Sequence, residues 1–266
     1  MMKLYLDPGH GGSDPGAQGN GLVEKNITLD IALKIRNIIT SRYEGVTVRM
    51  SRTSDTTKSL SERTNDANAW GADYYVSIHC NAFNGSAEGY EDYIHSNLSD
   101  TSQTARYRDI LHEEITRVNG LRNRGKKKAN FHVLRETTMP AILTENGFID
   151  NAHDAALMRD NSWRQRVAEG HVNGIARAFN LQAASPDPSI MYRIIAGSFQ
   201  SRENAEERAN YLKQNQIDAF VIPVTVSGNQ WYRVQAGAFT DRENAESHLE
   251  KVRRYVPDAY IVQETA

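Results

Sequence analysis

Two stretches of this chain are near copies of each other, and they fix how its last third can fold. Tyr192-Arg193-Ile194-Ile195-Ala196-Gly197-Ser198-Phe199 returns as Tyr232-Arg233-Val234-Gln235-Ala236-Gly237-Ala238-Phe239. Arg202 through Glu206 returns as Arg242 through Glu246, and Ala219 through Ile222 as Ala259 through Val262, always 40 residues on. A fixed offset marks a repeated supersecondary unit. Each copy reads strand, helix, strand. Two copies are too few for a solenoid, so they close on each other as βαββαβ: a small α+β domain of four strands with two helices on one face. Ahead of it, Gln182 to Ser189 is a linker by composition. The expected domains are residues 1–182, a linker over 183–189, and the repeat domain over 190–266.

Residues 1–182 follow a different plan. Leu4 and Leu6 alternate in a strand that Pro8, Gly9, Gly11 and Gly12 then break. A helix follows from Glu24, with Ile27, Ile31, Ile35 and Ile38 in its stripe and Asn26 or Thr28 as its cap. Val46–Met50 is a strand and Leu60–Trp70 a helix. The continuous run Tyr74–Ile78 suits a strand covered on both faces. Gly89–Ile94 reads as a strand, Ser99–Val118 as a helix, Asn123–Lys128 as a basic loop and Phe131–Arg135 as a strand. Ala141–Thr144 is a short apolar strand, followed by helices at Asn151–Arg159 and Ser162–Asn180. Strands alternating with helices predict an α/β fold with a mostly parallel sheet flanked by helices.

Length and charge narrow the partners. A chain of 266 residues is comfortable for two domains. Its 31 basic and 33 acidic side chains nearly cancel, which argues against nucleic acid. No apolar run approaches the roughly 18 residues of a membrane span. A single cysteine excludes a disulfide within the monomer, and a monomer is the default expectation.

The chemistry gathers at element ends. His10 sits between glycines after the first strand, Glu24 opens a helix, and His79 ends the central strand. Open α/β sheets place their sites beyond the carboxyl ends of the strands. Two imidazoles and a carboxylate are a ligand set for catalytic zinc, which leaves a fourth position for water. Such a centre lowers the pKa of bound water and polarises a carbonyl. Hydrolysis also needs a base that is not a ligand, and Glu145, at the end of another strand, suits it. The bland alternatives are hydrogen-bonded structural histidines, a helix-start carboxylate favoured by the dipole and a turn residue at 145. Cys80 follows His79 on a strand and points the other way, so it reads as a buried free thiol. Asn81 points with His79 and is a candidate to orient substrate. His132 is either close to the site or structural, and Lys126–Lys128 either solvated or a contact for carboxylates of the substrate.

The motifs Asp-Pro-Gly-His-Gly-Gly (7–12), Glu24 before a long helix, Ser-Ile-His-Cys-Asn (77–81) and Leu-Thr-Glu-Asn-Gly-Phe (143–148) resemble the zinc-dependent N-acetylmuramoyl-L-alanine amidases of bacterial cell-wall turnover. Ser51-Arg52-Thr53 and the stretch from Arg63 to Asn68 fit the same pattern. The resemblance implies one zinc ion held by His10, Glu24 and His79, with Glu145 as catalytic acid/base. It implies cleavage of the amide between the lactyl group of N-acetylmuramic acid and L-alanine of the stem peptide. The repeat region resembles the SPOR peptidoglycan-binding domain, which implies docking on glycan strands. If Ile194 and Val234 face the helices, Arg193, Ile195, Arg233 and Gln235 lie on the open face of the sheet, and Arg193, Arg233 and Gln235 are candidate glycan contacts. The two-module order is similar to that of Bacillus-type amidases of mother-cell lysis. Asp7-Pro8-Gly9 interrupts any signal-peptide apolar region, so the chain is expected to be made in the cytoplasm and to reach the wall on lysis, in sporulation or phage release. The rival readings are a zinc peptidase acting within the stem peptide and a non-catalytic wall-binding protein.

Overall fold

The computed structural model describes residues 1–185 and 189–265. Pro186, Asp187 and Pro188 of the expected linker, and Ala266, lie outside the described residues. The chain divides into two compact units, Met1–Ala184 and Ser185–Ala266. No helix of the described residues is long and apolar enough to cross a membrane.

The first unit runs β1 (Met2–Pro8), β2 (Gln18–Gly19), β3 (Leu22–Val23), α1 (Glu24–Arg42), β4 (Val46–Met50), α2 (Leu60–Trp70), β5 (Tyr74–Asn81), β6 (Tyr90–His95) and α3 (Gln103–Asn119). It continues with β7 (Asn123–Ala129), α4 (His132–Arg135), β8 (Ala141–Phe148), α5 (Ala152–Arg159) and α6 (Asn161–Phe179). Six strands form one sheet in the order β4-β1-β5-β8-β6-β7. All neighbours are parallel except β6 and β8, so the expected mostly parallel α/β sheet is what the chain forms.

Strand parity divides the core into two layers. Leu4, Leu6, Tyr74, Val76, Ile78 and Ile142 pack with Ile31 and Ile35 of α1, Leu111 and Ile115 of α3, and Trp163, Val167 and Val172 of α6. The alternate residues Tyr5, Tyr75, Ala141 and Leu143 pack with Ala67 of α2 and with Val133 and Leu134 of α4. Tyr5 and Tyr75 stack with ring centroids 5.3 Å apart.

Two elements differ from expectation. Residues 131–135 are not a strand, because Val133 and Leu134, adjacent in sequence, both enter the same apolar cluster. A strand would send them to opposite faces; a helical turn does not. The basic stretch at Asn123–Ala129 is a strand, not a loop. It pairs with β6 at the sheet edge, where lysines discourage further strand addition. Lys126 pairs with Asp109 at 3.0 Å, Lys127 with Glu91, and Lys128 with Asp100 at 2.8 Å.

Behind β8 lies a buried histidine. His171 Nδ1–H donates to Val167 O at 2.8 Å, so Nε2 accepts from Thr144 Oγ1 at 3.1 Å. Burial pulls its pKa down to about 4 from 6.5. The unfolded chain therefore takes up this proton first, and stability falls as the pH drops from 6.5 towards 4. The two values are worth about 3 kcal/mol in all, with about 2 kcal/mol lost by pH 5. Urea midpoints of wild type and His171→Gln at pH 7 and pH 5 check this: the difference between the two pH values shrinks in the variant. An identical pH response of both proteins would refute it.

The second unit runs β9 (Ile190–Phe199), α7 (Arg202–Gln214), β10 (Phe220–Val226), β11 (Asn229–Phe239), α8 (Arg242–Arg253) and β12 (Tyr260–Thr265). Its sheet is antiparallel, ordered β10-β11-β9-β12. Ile194, Ala196, Val234 and Ala236 meet Ala205, Ala209 and Leu212 of α7 and Leu249 and Val252 of α8 in one core.

Candidate metal centre and active site

The parity that builds the core also aims the polar residues at the strand ends. Continuing from Tyr5, Tyr75 and Leu143, it turns Asp7, Ser77, His79 and Glu145 towards α2. Ser77 Oγ donates to Asp7 Oδ2 at 2.9 Å, and Arg63 of α2 donates to Asp7 Oδ1 at 2.7 Å. Cys80 takes the other parity. It is a buried free thiol in the larger core.

His10 follows β1 with φ +63°, a left-handed conformation that a non-glycine residue rarely adopts. Two arginines hold the backbone there. Arg63 Nη2 donates to His10 O at 2.7 Å and Nη1 to Pro8 O at 2.9 Å. Arg52 Nη2 donates to Gly9 O at 2.9 Å and Nε to Pro8 O at 3.1 Å. Only glycine fits at position 9, where a Cβ would stand 2.3 Å from the His79 ring. Gly16 is equally constrained: at φ +67° a Cβ would meet the His10 ring at 2.5 Å and Glu24 Oε2 at 2.6 Å.

Glu24 is the first residue of α1, and no side chain caps this helix. The expected cap at Asn26 or Thr28 is absent because the helix already begins at Glu24, with Val23 at the cap position, which places both residues inside it; Thr28 Oγ1 instead donates to Gly9 O at 2.9 Å, tying the helix to the glycine loop. Glu24 is buried and held from four directions. Oε2 accepts from Ala17 N–H at 2.7 Å and lies 3.1 Å from His10 Nε2. Oε1 accepts from Cys80 N–H at 2.9 Å and lies 3.0 Å from His79 Nδ1. Burial alone would raise its pKa, but the hydrogen bonds and charges of the two imidazoles hold it well below the usual carboxylate range. For His10, burial works against the charged ring and Glu24 and Asp14 outweigh it, so its pKa is raised.

His10, Glu24 and His79 thus each offer a ligand atom, all within 4.8 Å of one another. Asp14 Oδ2 meets His10 Nδ1 at 2.8 Å, the carboxylate–imidazole contact that fixes a metal-binding histidine's tautomer. Two imidazoles, one buried carboxylate and this outer contact fit a divalent metal ion, and zinc takes such a set.

Glu145 stands opposite His79 in the β5–β8 register. Its Oε2 is shut off from solvent with no hydrogen-bond partner among the described residues. Burial, then the charges of Glu24 and Glu91, push its pKa well above the ordinary value. Glu91 faces Glu145 from β6 and is a fixed anion. It accepts from Tyr93 Oη at 2.6 Å, Arg124 Nε at 2.7 Å, Asn81 Nδ2 at 3.0 Å and Lys127. Burial opposes its charge, and these donors outweigh burial and lower its pKa.

A cavity of about 500 Å³ opens over these groups. His10, His79, His132 and Glu145 line it together with Asp7 and Arg63, and Leu60, Phe131, Val133 and Leu143 form its apolar side. Asn81 is bound to Glu91 instead, past an irregularity in β5. Arg193, Arg233 and Gln235 lie in the second unit. There Ile195 and Gln235 are covered rather than open, each about 2 % exposed or less, because they sit opposite each other on the two central strands. Arg193 is half-exposed and donates to Gln235 Oε1 at 3.1 Å and to Glu264 Oε2 at 2.7 Å. Asp14, the arginine clamp on His10 and the Glu91 network carry no motif that sequence reasoning had assigned a role.

Residues 4–177 match the family described as N-acetylmuramoyl-L-alanine amidase, and residues 188–263 match the SPOR domain. The chain is 51 % identical over 222 residues to the N-acetylmuramoyl-L-alanine amidase CwlM of Bacillus licheniformis, covering 84 % of this chain and 85 % of that one. It is 48 % identical, with the same coverage, to the sporulation-specific N-acetylmuramoyl-L-alanine amidase of Bacillus subtilis. Among solved structures, the catalytic domain of CwlV, an amidase of Bacillus (Paenibacillus) polymyxa var. colistinus, superposes with a TM-score of 0.65 at 34 % identity. That match covers 68 % of this chain and all of the other. The chain therefore belongs to the N-acetylmuramoyl-L-alanine amidase family and carries a SPOR domain behind its α/β unit.

Proposed function

We propose that the α/β unit hydrolyses the amide between the lactyl group of N-acetylmuramic acid and L-alanine of the stem peptide, with zinc held by His10, Glu24 and His79 and Glu145 as the acid/base. The observation that carries the roles is the difference between two carboxyls around His10 and His79, Glu24 behind the two rings and Glu145 in the cavity they line. Glu24 is locked by two imidazoles and two backbone N–H groups and held ionised. Glu145 is half-buried at the cavity, with one oxygen that has no partner among the described residues and a raised pKa. Carboxyls whose environments push their affinities for protons apart divide into a fixed charge and a proton carrier.

When bound, zinc supplies a positive centre that polarises a carbonyl and lowers the pKa of water towards about 7. A positive charge at the His10–Glu24–His79 site also draws the Glu145 pKa down from its raised value, towards the range where a carboxyl both accepts and returns a proton. Glu145 takes the proton of the attacking water and returns it to the leaving alanine nitrogen. Asp14 orients His10, and the arginine clamp keeps His10 in its unusual backbone conformation. The SPOR domain holds the enzyme on glycan strands, with Arg193 and Arg233 as the polar contacts and Gln235 steering Arg193 from beneath. Tethering of this kind raises the local concentration of substrate without altering the active site.

Digestion of purified sacculi followed by mass spectrometry tests the reading. The expected products are free stem peptides beginning with L-alanine and glycan without peptide, lost on chelation and restored by zinc. Cuts inside the stem peptide would mean a peptidase. Retention on the wall with no release under any metal would mean a binding protein.

A further inference from the structure

Four large apolar side chains are exposed among the described residues of the α/β unit: Met1, Leu60, Phe83 and Phe131. Two of them, Leu60 at 53 % and Phe131 at 40 %, line the active-site cavity. The Phe131 ring is braced by Tyr93, with centroids 5.1 Å apart. Exposed apolar surface at a cavity is surface that a ligand can cover. The same rim carries a cation. Of the two lining side chains with a permanent positive charge, Arg63 is buried and committed to Asp7. Lys58 is exposed. Its Nζ stands 3.8 Å from Glu62 Oε1, too far for a hydrogen bond, and an exposed pair of this kind is worth little. Glu62 is held elsewhere, accepting from Ser59 N–H at 2.8 Å in the cap of α2. The ammonium is therefore available, while the backbone beneath it is fixed. Gly12 N–H donates to Asp55 Oδ1 at 2.7 Å and Ser13 N–H to Thr57 Oγ1 at 3.0 Å, tying the loop before Lys58 to the glycine loop around His10. Arg63 Nε donates to Lys58 O at 3.1 Å.

We propose that Lys58, Leu60 and Phe131 form the peptide subsite of this cavity: the Lys58 ammonium meets a carboxylate of the stem peptide beyond L-alanine, and Leu60 and Phe131 cover the peptide's small apolar groups. The proposal rests on the amidase reading of the same cavity. The scissile amide divides the substrate into an uncharged sugar half and a peptide half that carries carboxylates. A cation beside two exposed apolar side chains complements the second half. A sugar, ringed with hydroxyls and without charge, would leave the ammonium unanswered. Lys58 also lines a second, polar cavity that shares Arg63 with the first. Its four-carbon stem thus lets the ammonium follow a peptide that leaves the active site over this rim.

The test uses two soluble muramoyl peptides that differ at one group. In both a glutamyl residue follows L-alanine; its free carboxylate is left ionised in one and converted to the carboxamide in the other. Wild type is expected to prefer the acid over the amide by about 3- to 10-fold in kcat/KM, mainly through KM, the scale of one partly solvated charge-assisted contact. Raising the salt should shrink this preference. Lys58→Gln is expected to bring the ratio to about one, and Lys58→Glu to reverse it. Leu60→Ala and Phe131→Ala should lower kcat/KM a few-fold on both peptides and keep the ratio. Zinc content and thermal midpoint stay as in wild type, since all three side chains are exposed. A readout independent of turnover is calorimetric titration with the free acid and amide peptides: wild type should bind the acid more tightly, and Lys58→Gln should bind the two alike. No preference in wild type, a preference that survives Lys58→Gln, apolar variants that leave both rates unchanged, or losses that track zinc or the thermal midpoint would each overturn the proposal. Wild-type protein that cleaves neither peptide would instead sink the amidase reading, while the titration would still decide the carboxylate contact.

Discussion

Glu145→Gln is expected to lower kcat by about 10²- to 10⁴-fold, the range that a positioned acid/base contributes, with zinc still bound. Glutamine has nearly the shape of glutamate, so the packing at the end of β8 and the pairing of Glu145 with His79 and Glu91 across the sheet survive. The amide cannot accept the proton of water or return one to nitrogen. Because the proposed ligand atoms belong to His10, Glu24 and His79, metal affinity should hardly change. KM should move little, since the substrate meets the cavity through other residues. The combination discriminates: loss of kcat with zinc retained and KM preserved marks a proton carrier, whereas loss of zinc would make Glu145 a ligand. Turnover within a few-fold of wild type would remove it from the mechanism altogether.

The site was legible where chemistry coincides with the end of a secondary-structure element. His10, His79 and Glu145 each end an apolar run, and parity along the strand gives the direction of Cys80 from that of His79. Glu24 was readable as a helix start, although the cap was not, since the position before it is Val23, which has no side-chain acceptor, and the polar residues Asn26 and Thr28 fall inside the helix. What stayed hidden depends on register and on distant pairing. Glu91 acts on Glu145 only because β6 runs antiparallel beside β8, which no local pattern announces. The strand at 123–129 was masked by its lysines, whose low β-propensity is overridden by pairing with β6 and by their carboxylate partners. In the repeat domain, alternation correctly sends Ile194 and Val234 to the helices. It says nothing about how far neighbours cover the other face, and there Ile195 and Gln235 are closed off.

Arg63→Met is expected to destabilise the α/β unit by about 3–5 kcal/mol at neutral pH, the cost of breaking a buried ion pair by removing one partner. Arg63 and Asp7 are 3 % and 1 % exposed and meet at 2.7 Å. Against a total stability of about 5–15 kcal/mol, that loss brings the unit close to unfolding. Burial alone would raise the Asp7 pKa, and the charge and hydrogen bond of Arg63 outweigh it, leaving it lowered. In wild type this pair therefore stabilises above the unfolded carboxyl's pKa and is lost as the pH falls through the folded value. Without Arg63 the sign reverses: Asp7 becomes an unpaired buried carboxylate with a raised pKa. The penalty in Arg63→Met should then be largest at neutral pH and shrink as acid protonates Asp7. Adding Asp7→Asn should recover a good part of the loss, because neighbouring partners are not additive. Activity should fall further than stability accounts for, since Arg63 also holds the His10 carbonyl at 2.7 Å and a displacement of about 1 Å can cost 10²-fold. Urea unfolding of both variants across pH, with zinc content and kcat measured on the folded fraction, separates the two effects. A penalty that does not depend on pH would mean that Asp7 and Arg63 act through packing rather than charge.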